Sequence, residues 1–282
     1  MPQQWRNSQF LLGIEGLALL REWLTGDEVA IGARVREIEE LCRRYGDPPE
    51  GDAFEADEIS ASTGYNVLAG MYDDVKNPLI AAEEPSVRGL LDGLEKGRVV
   101  DAACGTGRHA SYLAQRGHAV TAVDALQAML LEAKKKVPGA AFVQGDLNAL
   151  PLGTNSHDAA VCALALGHLR ELRPAVGELA RVVRPGGEIV LSDIHPFAAV
   201  TGAHSVVPTG DGRFGVLRNE FHPHSSYVDA FRDAGLEVLA CLEPLWETDL
   251  YGGGGVLDPI REAAATALDG LPFALIWRLR VG

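Results

Sequence analysis

From about residue 85 onward, short apolar runs alternate along the chain with stretches of helical periodicity. The strand candidates are Arg98–Ala103, Ala119–Val123, Ala141–Gln144, Ala159–Ala163, Glu188–Ser192, Leu236–Leu242 and Phe273–Arg280. The helical stretches between them include His109–Arg116, Ala125–Lys136 and Pro174–Val183. Nearly continuous apolar strands are typical of a parallel sheet that is covered by helices on both faces. The pattern predicts an α/β fold with a mostly parallel, seven-stranded sheet, whose last two strands form a hairpin-like pair.

The first 60 residues follow a different, helical pattern. Two apolar stripes recur at spacings of three and four residues, the first from Phe10 to Leu24 and the second from Ile31 to Tyr45. Thr25 and Glu28 fit a capping box at the start of the second helix. We expect a helical N-terminal extension over residues 1–60, acting as a lid or dimer contact. The main domain is expected over residues 61–282, with an insertion at about 197–224.

Charge and composition narrow the classes of partner. The chain has 25 basic and 39 acidic residues, a formal net charge of −14, which disfavours binding to nucleic acid or to anionic membranes. The four cysteines form no C-x-x-C motif, and no apolar run approaches the ~20 residues that span a bilayer. The first residues, MPQQWRNSQF, lack the pattern of a secretory signal. These features predict a cytoplasmic protein that binds neither nucleic acid nor membranes.

A glycine loop follows the first strand of the alternating region. The segment VVDAACGTGRHA fits the G-x-G-x-x-G/A pattern with Gly105 and Gly107, which would let the backbone approach a ligand closely. Asp124 closes the second strand, where a carboxylate can accept hydrogen bonds from both hydroxyls of a ribose. To this point, NAD and S-adenosylmethionine fit the pattern equally well.

Two further acids favour S-adenosylmethionine. Asp101 ends the first strand just before the glycines, where a carboxylate would repel the pyrophosphate of NAD and attract an ammonium or sulfonium group. Asp146 follows the third strand, where it can accept a hydrogen bond from the exocyclic amine of adenine. Together with Asp124, three acids therefore end three successive strands, which points to a cationic adenosyl ligand.

At these segments the chain resembles the class I S-adenosylmethionine-dependent methyltransferases. The resemblance runs from about Tyr65 to Ala240 and rests on VVDAACGTG, TAVDAL, VQGDLNALPL, HDAAVCALALGHL and ELARVVRPGGEIVLSDIHP. It implies a Rossmann-like fold with S-adenosylmethionine as the cofactor. Tyr65 and Tyr72, in GYNVLAGMYDD, match an aromatic segment that often closes over the cofactor in related small-molecule enzymes.

The resemblance also implies which residues bind the cofactor. In the family, its amino-acid part lies on the first loop, here Asp101 to Gly107, and its ribose meets the acid after the second strand, here Asp124. The adenine lies beside Ala125, with its amine at Asp146. The family's first loop glycine is Ala103 here, which trims the space for the backbone. The predicted cofactor residues are Tyr65, Tyr72, Asp101, Ala103, Gly105, Gly107, Asp124, Ala125, Asp146, Leu147 and Ala163.

Histidines follow the fourth and fifth strands and precede a late helix. At these positions we expect the molecule that accepts the methyl group. A neutral imidazole can take a proton from a hydroxyl or phenol, so His195 and His222 are candidate bases, ahead of His168. With Asp193 and His224, two of these residues also make a candidate metal set, but the spacing fits no known tight motif and we expect no metal.

The expected function is methyl transfer to a small molecule, a class reached by elimination. No (D/N/S)-P-P-(Y/F/W) signature follows the fourth strand, so the pattern of amino-methylating DNA enzymes is missing. Oxygen, nitrogen and carbon all stay open as the acceptor atom, and a homodimer stays open as the assembly. The alternatives are an S-adenosylmethionine-binding sensor or partner subunit, an enzyme that uses the cofactor for other chemistry, and an NAD-dependent oxidoreductase.

Overall fold

A seven-stranded sheet carries the glycine loop at its centre. We analysed a computed structural model, which describes residues 3–46, 52–74, 76–209, 213–251 and 255–282. The strands of this sheet are β3 (Arg98–Ala102), β4 (Ala119–Asp124), β5 (Ala141–Gln144), β6 (His157–Ala163), β7 (Val183–Ile194), β10 (Leu236–Leu242) and β11 (Ala274–Val281). Their order is β10-β11-β7-β6-β3-β4-β5, and β11 runs antiparallel to both of its neighbours. The predicted α/β fold with a mostly parallel, seven-stranded sheet is confirmed.

Strand β7 is longer than its sequence predicts. The expected strand began at Glu188, because the preceding Pro185 and glycines are typical turn residues. In the structure, Val183 already pairs with His157, and the pairing of β6 with β7 shifts register between His157 and Ala159. This irregularity takes up the extra residues, so the proline and glycines lie inside an irregular strand.

Helices cover both faces of the sheet, as predicted. One face packs against α4 (Pro78–Asp92), α5 (Arg108–Gln115) and α6 (Gln127–Lys136). The other face packs against α7 (Arg173–Val182) and α9 (His224–Asp233). The central strands are buried on both sides, which explains their continuous apolar runs.

The two N-terminal stripes form helices. These are α1 (Asn7–Glu22) and α2 (Glu28–Gly46), and α1 packs on α10 (Arg261–Leu268) in a separate apolar cluster. The prediction that Thr25 caps the second helix is wrong, because Asp27 Oδ1 accepts the Ala30 N–H at 2.7 Å. The Thr25 hydroxyl donates instead to the Arg21 carbonyl.

A second, smaller sheet joins the N-terminal region to the insertion. Its strands are β1 (Gln3–Arg6), β2 (Ala53–Glu58), β8 (Ser205–Pro208) and β9 (Phe214–Leu217), in the order β1-β2-β9-β8. The sequence did not predict these strands, because they are short and find their partners far along the chain. The insertion also contains α8 (Pro196–Val200), and α3 (Ala61–Leu68) contacts both β8 and β9. The division of the chain at residue 60 stays a prediction.

Gly64→Ala is expected to lower the free energy of unfolding by about 1 to 3 kcal/mol, because α3 packs tightly on β9. A Cβ atom at Gly64 would lie 2.5 Å from Leu217 Cδ2, and Leu217 is buried. Gly13→Ala is the matched control, since a Cβ there meets nothing within 4 Å inside α1. Urea unfolding of both variants measures the difference. Equal stabilities would contradict the packing of α3 on the insertion.

Candidate active site

A cavity of about 240 Å³ opens at the carboxyl edge of the sheet, where the loops after β3, β4, β5 and β6 meet. Ligands bind at this edge in open parallel sheets, near the point where the strand order reverses. Ten residues predicted for the cofactor or catalysis line this first cavity: Tyr65, Tyr72, Ala103, Gly105, Asp124, Ala125, Asp146, Leu147, Ala163 and His168.

The glycine loop turns through three residues with positive φ. They are Ala103 (58°), Gly105 (53°) and Gly107 (83°). A Cβ at Gly105 would meet nothing within 4 Å, so this glycine leaves open space beside the cavity that it lines. A Cβ at Gly107 would lie 3.0 Å from the Ala133 Cβ, so that glycine serves the packing of α5 against α6. Ala103 adopts the left-handed conformation at a cost of about 1 to 2 kcal/mol.

Asp124 fixes the loop and lines the cavity at the same time. Its Oδ2 accepts the Gly105 N–H at 2.8 Å, and its Oδ1 accepts the Leu126 N–H at 2.8 Å. Burial raises the pKa of this carboxyl, while these backbone bonds act in the opposite direction. Because each carboxylate oxygen has a second lone pair, both can still accept a hydroxyl hydrogen.

Asp101 lies behind the loop and, like Gly107, is absent from the described lining of the cavity. Its side chain is buried, and its Oδ2 has no hydrogen-bond partner within the described residues. Burial raises its pKa to about 6, although the nearby His109 and the backbone of Ala110 favour the ionised form. A buried carboxylate with an unpaired oxygen fits a cationic ligand group at this loop.

Asp101→Asn is expected to raise the stability of the ligand-free protein by about 1 to 2 kcal/mol at neutral pH. The carboxyl pKa rises from 3.8 to about 6 on folding, which corresponds to an ionisation penalty of about 3 kcal/mol above pH 6. The buried amide of the new Asn side chain lacks hydrogen-bond partners, which reduces the gain in the free energy of unfolding. The cost of ionising Asp101 disappears as the pH falls from its pKa in the folded protein toward its pKa in the unfolded chain. The difference in stability between the wild-type protein and Asp101→Asn should therefore shrink below about pH 6. Urea unfolding of both proteins at several pH values measures this difference in stability. A difference that does not change with pH would contradict the raised pKa of Asp101.

Asp146 lies at the other end of the cavity, in the loop after β5. Its Oδ1 accepts the Asn148 backbone N–H at 2.7 Å and the Asn148 side-chain amide at 3.0 Å. These bonds hold the loop in place through one oxygen of an exposed carboxylate. The acid is therefore placed beside the cavity where an adenine amine could donate to it.

Tyr65 and His168 form a hydrogen-bonded pair in the cavity wall. The Tyr65 Oη lies 2.8 Å from His168 Nε2, and the rings pack edge to face. His168 Nδ1 lies 3.4 Å from the Arg218 carbonyl, which can only accept, so the ring proton is on Nδ1 and the phenol donates to Nε2. Burial lowers the pKa of His168 and raises the pKa of Tyr65. Both groups are therefore neutral near pH 7.

A second cavity, of about 300 Å³, lies on the other side of the same tyrosines. Tyr65 and Tyr72 line both cavities. The remaining lining comes largely from residues 76–79 at the start of α4 and from the insertion, at residues 203–207 and Asn219. The predicted cofactor residues and the predicted insertion thus border two adjoining cavities.

Three residues that sequence reasoning missed hold the Tyr72 segment on the glycine loop. The Thr106 hydroxyl donates to Asp73 Oδ1 at 2.8 Å. The Lys136 ammonium donates to the Thr106 oxygen at 2.9 Å and also pairs with Asp73. These contacts join positions about thirty residues apart, so no local pattern in the sequence announces them.

The three candidate bases have different surroundings in the structure. His168 lines the first cavity, whereas neither His195 nor His222 is among the described residues that line the first or second cavity. His222 Nε2 donates to the Leu169 carbonyl at 2.7 Å and so holds the segment next to His168. His195 Nδ1 accepts the Phe197 N–H at 3.1 Å and caps α8. Both rings are placed as structural supports.

Only two residues of the candidate metal set, His195 and His224, come together. Asp193 accepts the Tyr227 hydroxyl at 2.8 Å, whereas His195 and His224 both face Glu243, with the possible ligand atoms within 4.8 Å of one another. Because His195 Nδ1 accepts a backbone N–H, its proton is on Nε2, the atom 3.2 Å from Glu243. Hydrogen bonds account for this cluster, and the absence of a metal stays a prediction.

Comparison with known proteins assigns the domain that holds this site. A family model described as "Methyltransferase domain" matches residues 100–191, which include the glycine loop, Asp124, Asp146 and His168. Residues 100–191 are therefore similar to a methyltransferase domain. A demethylmenaquinone methyltransferase from Renibacterium salmoninarum is 32% identical over 145 residues, covering 50% of this chain and 60% of that protein. A malonyl-[acyl-carrier protein] O-methyltransferase from Salmonella typhimurium is 37% identical over 105 residues, covering 37% and 42%.

Solved structures share the fold of the methyltransferase domain. An S-adenosylmethionine-dependent methyltransferase from Mesorhizobium loti has a TM-score of 0.54 at 22% identity, covering 72% of this chain and 100% of that one. A putative methyltransferase from Haloferax volcanii, solved with the activator Trm112, has a TM-score of 0.60 at 18% identity, covering 79% and 97%. The chain spans less than two thirds of the sequence relatives named above. These comparisons confirm the predicted fold class and support the resemblance to class I S-adenosylmethionine-dependent methyltransferases.

Proposed function

We propose that this protein transfers the methyl group of S-adenosylmethionine to a small-molecule acceptor. One observation carries the proposal: two cavities share Tyr65 and Tyr72, one beside the glycine loop and its acids, the other formed largely by the insertion. The first cavity would hold the cofactor and the second the acceptor. In-line transfer needs the two reactants to adjoin with water excluded, and adjoining cavities support that requirement.

The residues of the first cavity fit this cofactor. Asp124 would accept the ribose hydroxyls, Asp146 the adenine amine, and the open space at Gly105 admits the amino-acid part. Asp101, with its unpaired buried oxygen, would favour the positive charge from behind the loop. When bound, S-adenosylmethionine supplies an electrophilic methyl group, and its sulfur keeps the electron pair of the bond that breaks.

The Tyr65–His168 pair would remove a proton from the acceptor. Tyr65 lines both cavities and its hydroxyl oxygen still has lone pairs, so an acceptor O–H or N–H in the second cavity would donate to it. The phenolic proton then moves along the 2.8 Å hydrogen bond to His168 Nε2. His168 replaces His195 and His222 as the proposed base, since among the described residues it alone of these three lines the first cavity and neither of the others lines the second.

The sequence relatives named above are methyltransferases, which supports the reaction type and leaves the acceptor atom open. We also propose a cytoplasmic enzyme that does not act on nucleic acid, on the grounds of its net charge of −14 and its free cysteines. In the part of the chain that the structure describes, no helix has the length and apolarity to cross a membrane.

The exposed side chains of Leu20, Trp23 and Leu24 would provide a homodimer contact.

A transfer experiment tests the function. The purified protein is incubated with S-adenosylmethionine carrying a deuterated methyl group and with a library of small metabolites, and products are detected by mass spectrometry. We expect an acceptor that gains the labelled methyl group together with stoichiometric S-adenosylhomocysteine. Cofactor binding without any labelled product across the library would favour the sensor alternative. A different product from the cofactor would favour other chemistry.

A further inference from the structure

The two adjoining cavities differ in charge. Among the described residues, the first cavity is lined by Asp124 and Asp146 and by no Lys or Arg. The described lining of the second cavity contains Lys76 and neither Asp nor Glu. This separation occurs in a chain with 39 acidic and only 25 basic residues. A lining that has a cation and excludes carboxylates favours an anionic ligand.

The second cavity also presents neutral hydrogen-bond donors. His204 Nδ1 accepts the Asn219 N–H at 3.2 Å, so the proton of the neutral ring is on Nε2, which can only donate. Burial and the nearby Arg218 lower the pKa of His204, which keeps the ring neutral at pH 7. Asn77 uses its carbonyl oxygen to accept the Leu79 N–H at 2.9 Å, so its amide hydrogens stay available. These donors suit the oxygen atoms of an anion.

Lys76 is available for such a ligand. Its side chain is exposed, and it has no carboxylate within salt-bridge distance among the residues that the structure describes. Most of the other lining is apolar and includes Leu68, Leu79, Val207 and Phe273. A cavity of about 300 Å³ with apolar walls and a few convergent polar groups is typical of sites that bind small organic molecules.

We infer that the second cavity binds an anionic, amphipathic acceptor, with a carboxylate-type group at Lys76 and His204 and an apolar body against Leu79 and Phe273. The part of this inference that concerns the methyl acceptor rests on the proposed function. Lys76 and His204 are binding and specificity residues, distinct from the Tyr65–His168 pair that receives the proton. The charge of each cavity then matches its ligand. Carboxylates of the first cavity attract the sulfonium cofactor, and hydrogen-bond donors of the second cavity bind the anionic acceptor.

The test compares a matched pair of probes, 2-naphthoate and 2-naphthamide, which have the same shape and differ in charge. Each is titrated calorimetrically into the full-length protein, with and without S-adenosylhomocysteine. We expect the wild-type protein to bind naphthoate at least about 10-fold more tightly than the amide, since a hydrogen-bonded charge pair is lost with the amide. Lys76→Met should abolish this preference, and Lys76→Arg should retain it. Lys135→Met, which removes an exposed lysine of α6, is the control and should bind like the wild type.

The inference is overturned if the wild-type protein binds both probes equally or binds neither. It is also overturned if Lys76→Met keeps the preference for naphthoate. Titration of the same variants with S-adenosylmethionine tests the proposed function separately. Loss of cofactor binding in every protein, with the naphthoate preference intact, would reject the methyltransferase proposal and leave the anionic cavity supported.

Discussion

Asp124→Ala is expected to weaken the binding of S-adenosylmethionine by about 100-fold or more, because two hydrogen bonds to a charged group are lost, each contributing roughly 1.5 to 3 kcal/mol. The substitution also releases the Gly105 and Leu126 N–H groups that the carboxylate now holds at 2.8 Å. The loop that borders the cavity is thereby loosened, which adds to the loss. Isothermal titration calorimetry of the variant measures the effect.

Asp229→Ala is the control for this measurement. Asp229 lies on α9 and is half-buried, and it does not line the first cavity. The control should bind the cofactor like the wild-type protein. An unchanged affinity in Asp124→Ala would reject the placement of the ribose at the end of β4.

Tyr65→Phe and His168→Gln are each expected to lower kcat by roughly 100- to 10,000-fold with an acceptor that must lose a proton, the usual contribution of a positioned base. Each substitution breaks the 2.8 Å bond between the phenol and the imidazole, and neither removes the bulk of the cavity wall. The affinity for S-adenosylmethionine should change much less than kcat. Steady-state kinetics and calorimetry on both variants separate the two effects.

The pH dependence of kcat gives a second test of the same pair. Burial lowers the pKa of His168, so the base stays neutral and active below the ordinary histidine range, and activity falls only at more acidic pH. That acidic limb should be absent in His168→Gln. Tyr112→Phe is the matched control, because Tyr112 bonds to Asp92 outside both cavities. A wild-type kcat in Tyr65→Phe would remove the pair from the mechanism.

The sequence predicts the central sheet and most of the lining of the first cavity because their signals are local. Continuous apolar runs mark β3 and β6, and Asp124 and Asp146 directly follow strands whose carboxyl ends meet at one edge. Gly105 and Gly107 belong to one short loop, and both have positive φ in the structure. The two glycines nevertheless have different roles. Gly105 borders the first cavity, whereas Gly107 allows α5 to pack against α6.

The features that the sequence did not predict depend on contacts between distant segments. The small sheet pairs short strands of the N-terminal region with short strands of the insertion, and each is too short to show clear periodicity. The order of the candidate histidine bases stays a prediction, and the sequence alone could not indicate their surroundings. All three follow or precede predicted elements, and only the tertiary structure brings His168 to Tyr65, 103 residues away. His222 instead donates a hydrogen bond to the backbone carbonyl of Leu169.

The most direct test of the central claim is a calorimetric titration of the purified protein with S-adenosylmethionine and, in parallel, with NAD. The arrangement of Asp101, Gly105 and Asp124 around the first loop predicts binding of S-adenosylmethionine and no detectable binding of NAD, whose pyrophosphate would approach a buried carboxylate. Binding of NAD without binding of S-adenosylmethionine would contradict the assignment of the cavity and, with it, the proposed methyl transfer.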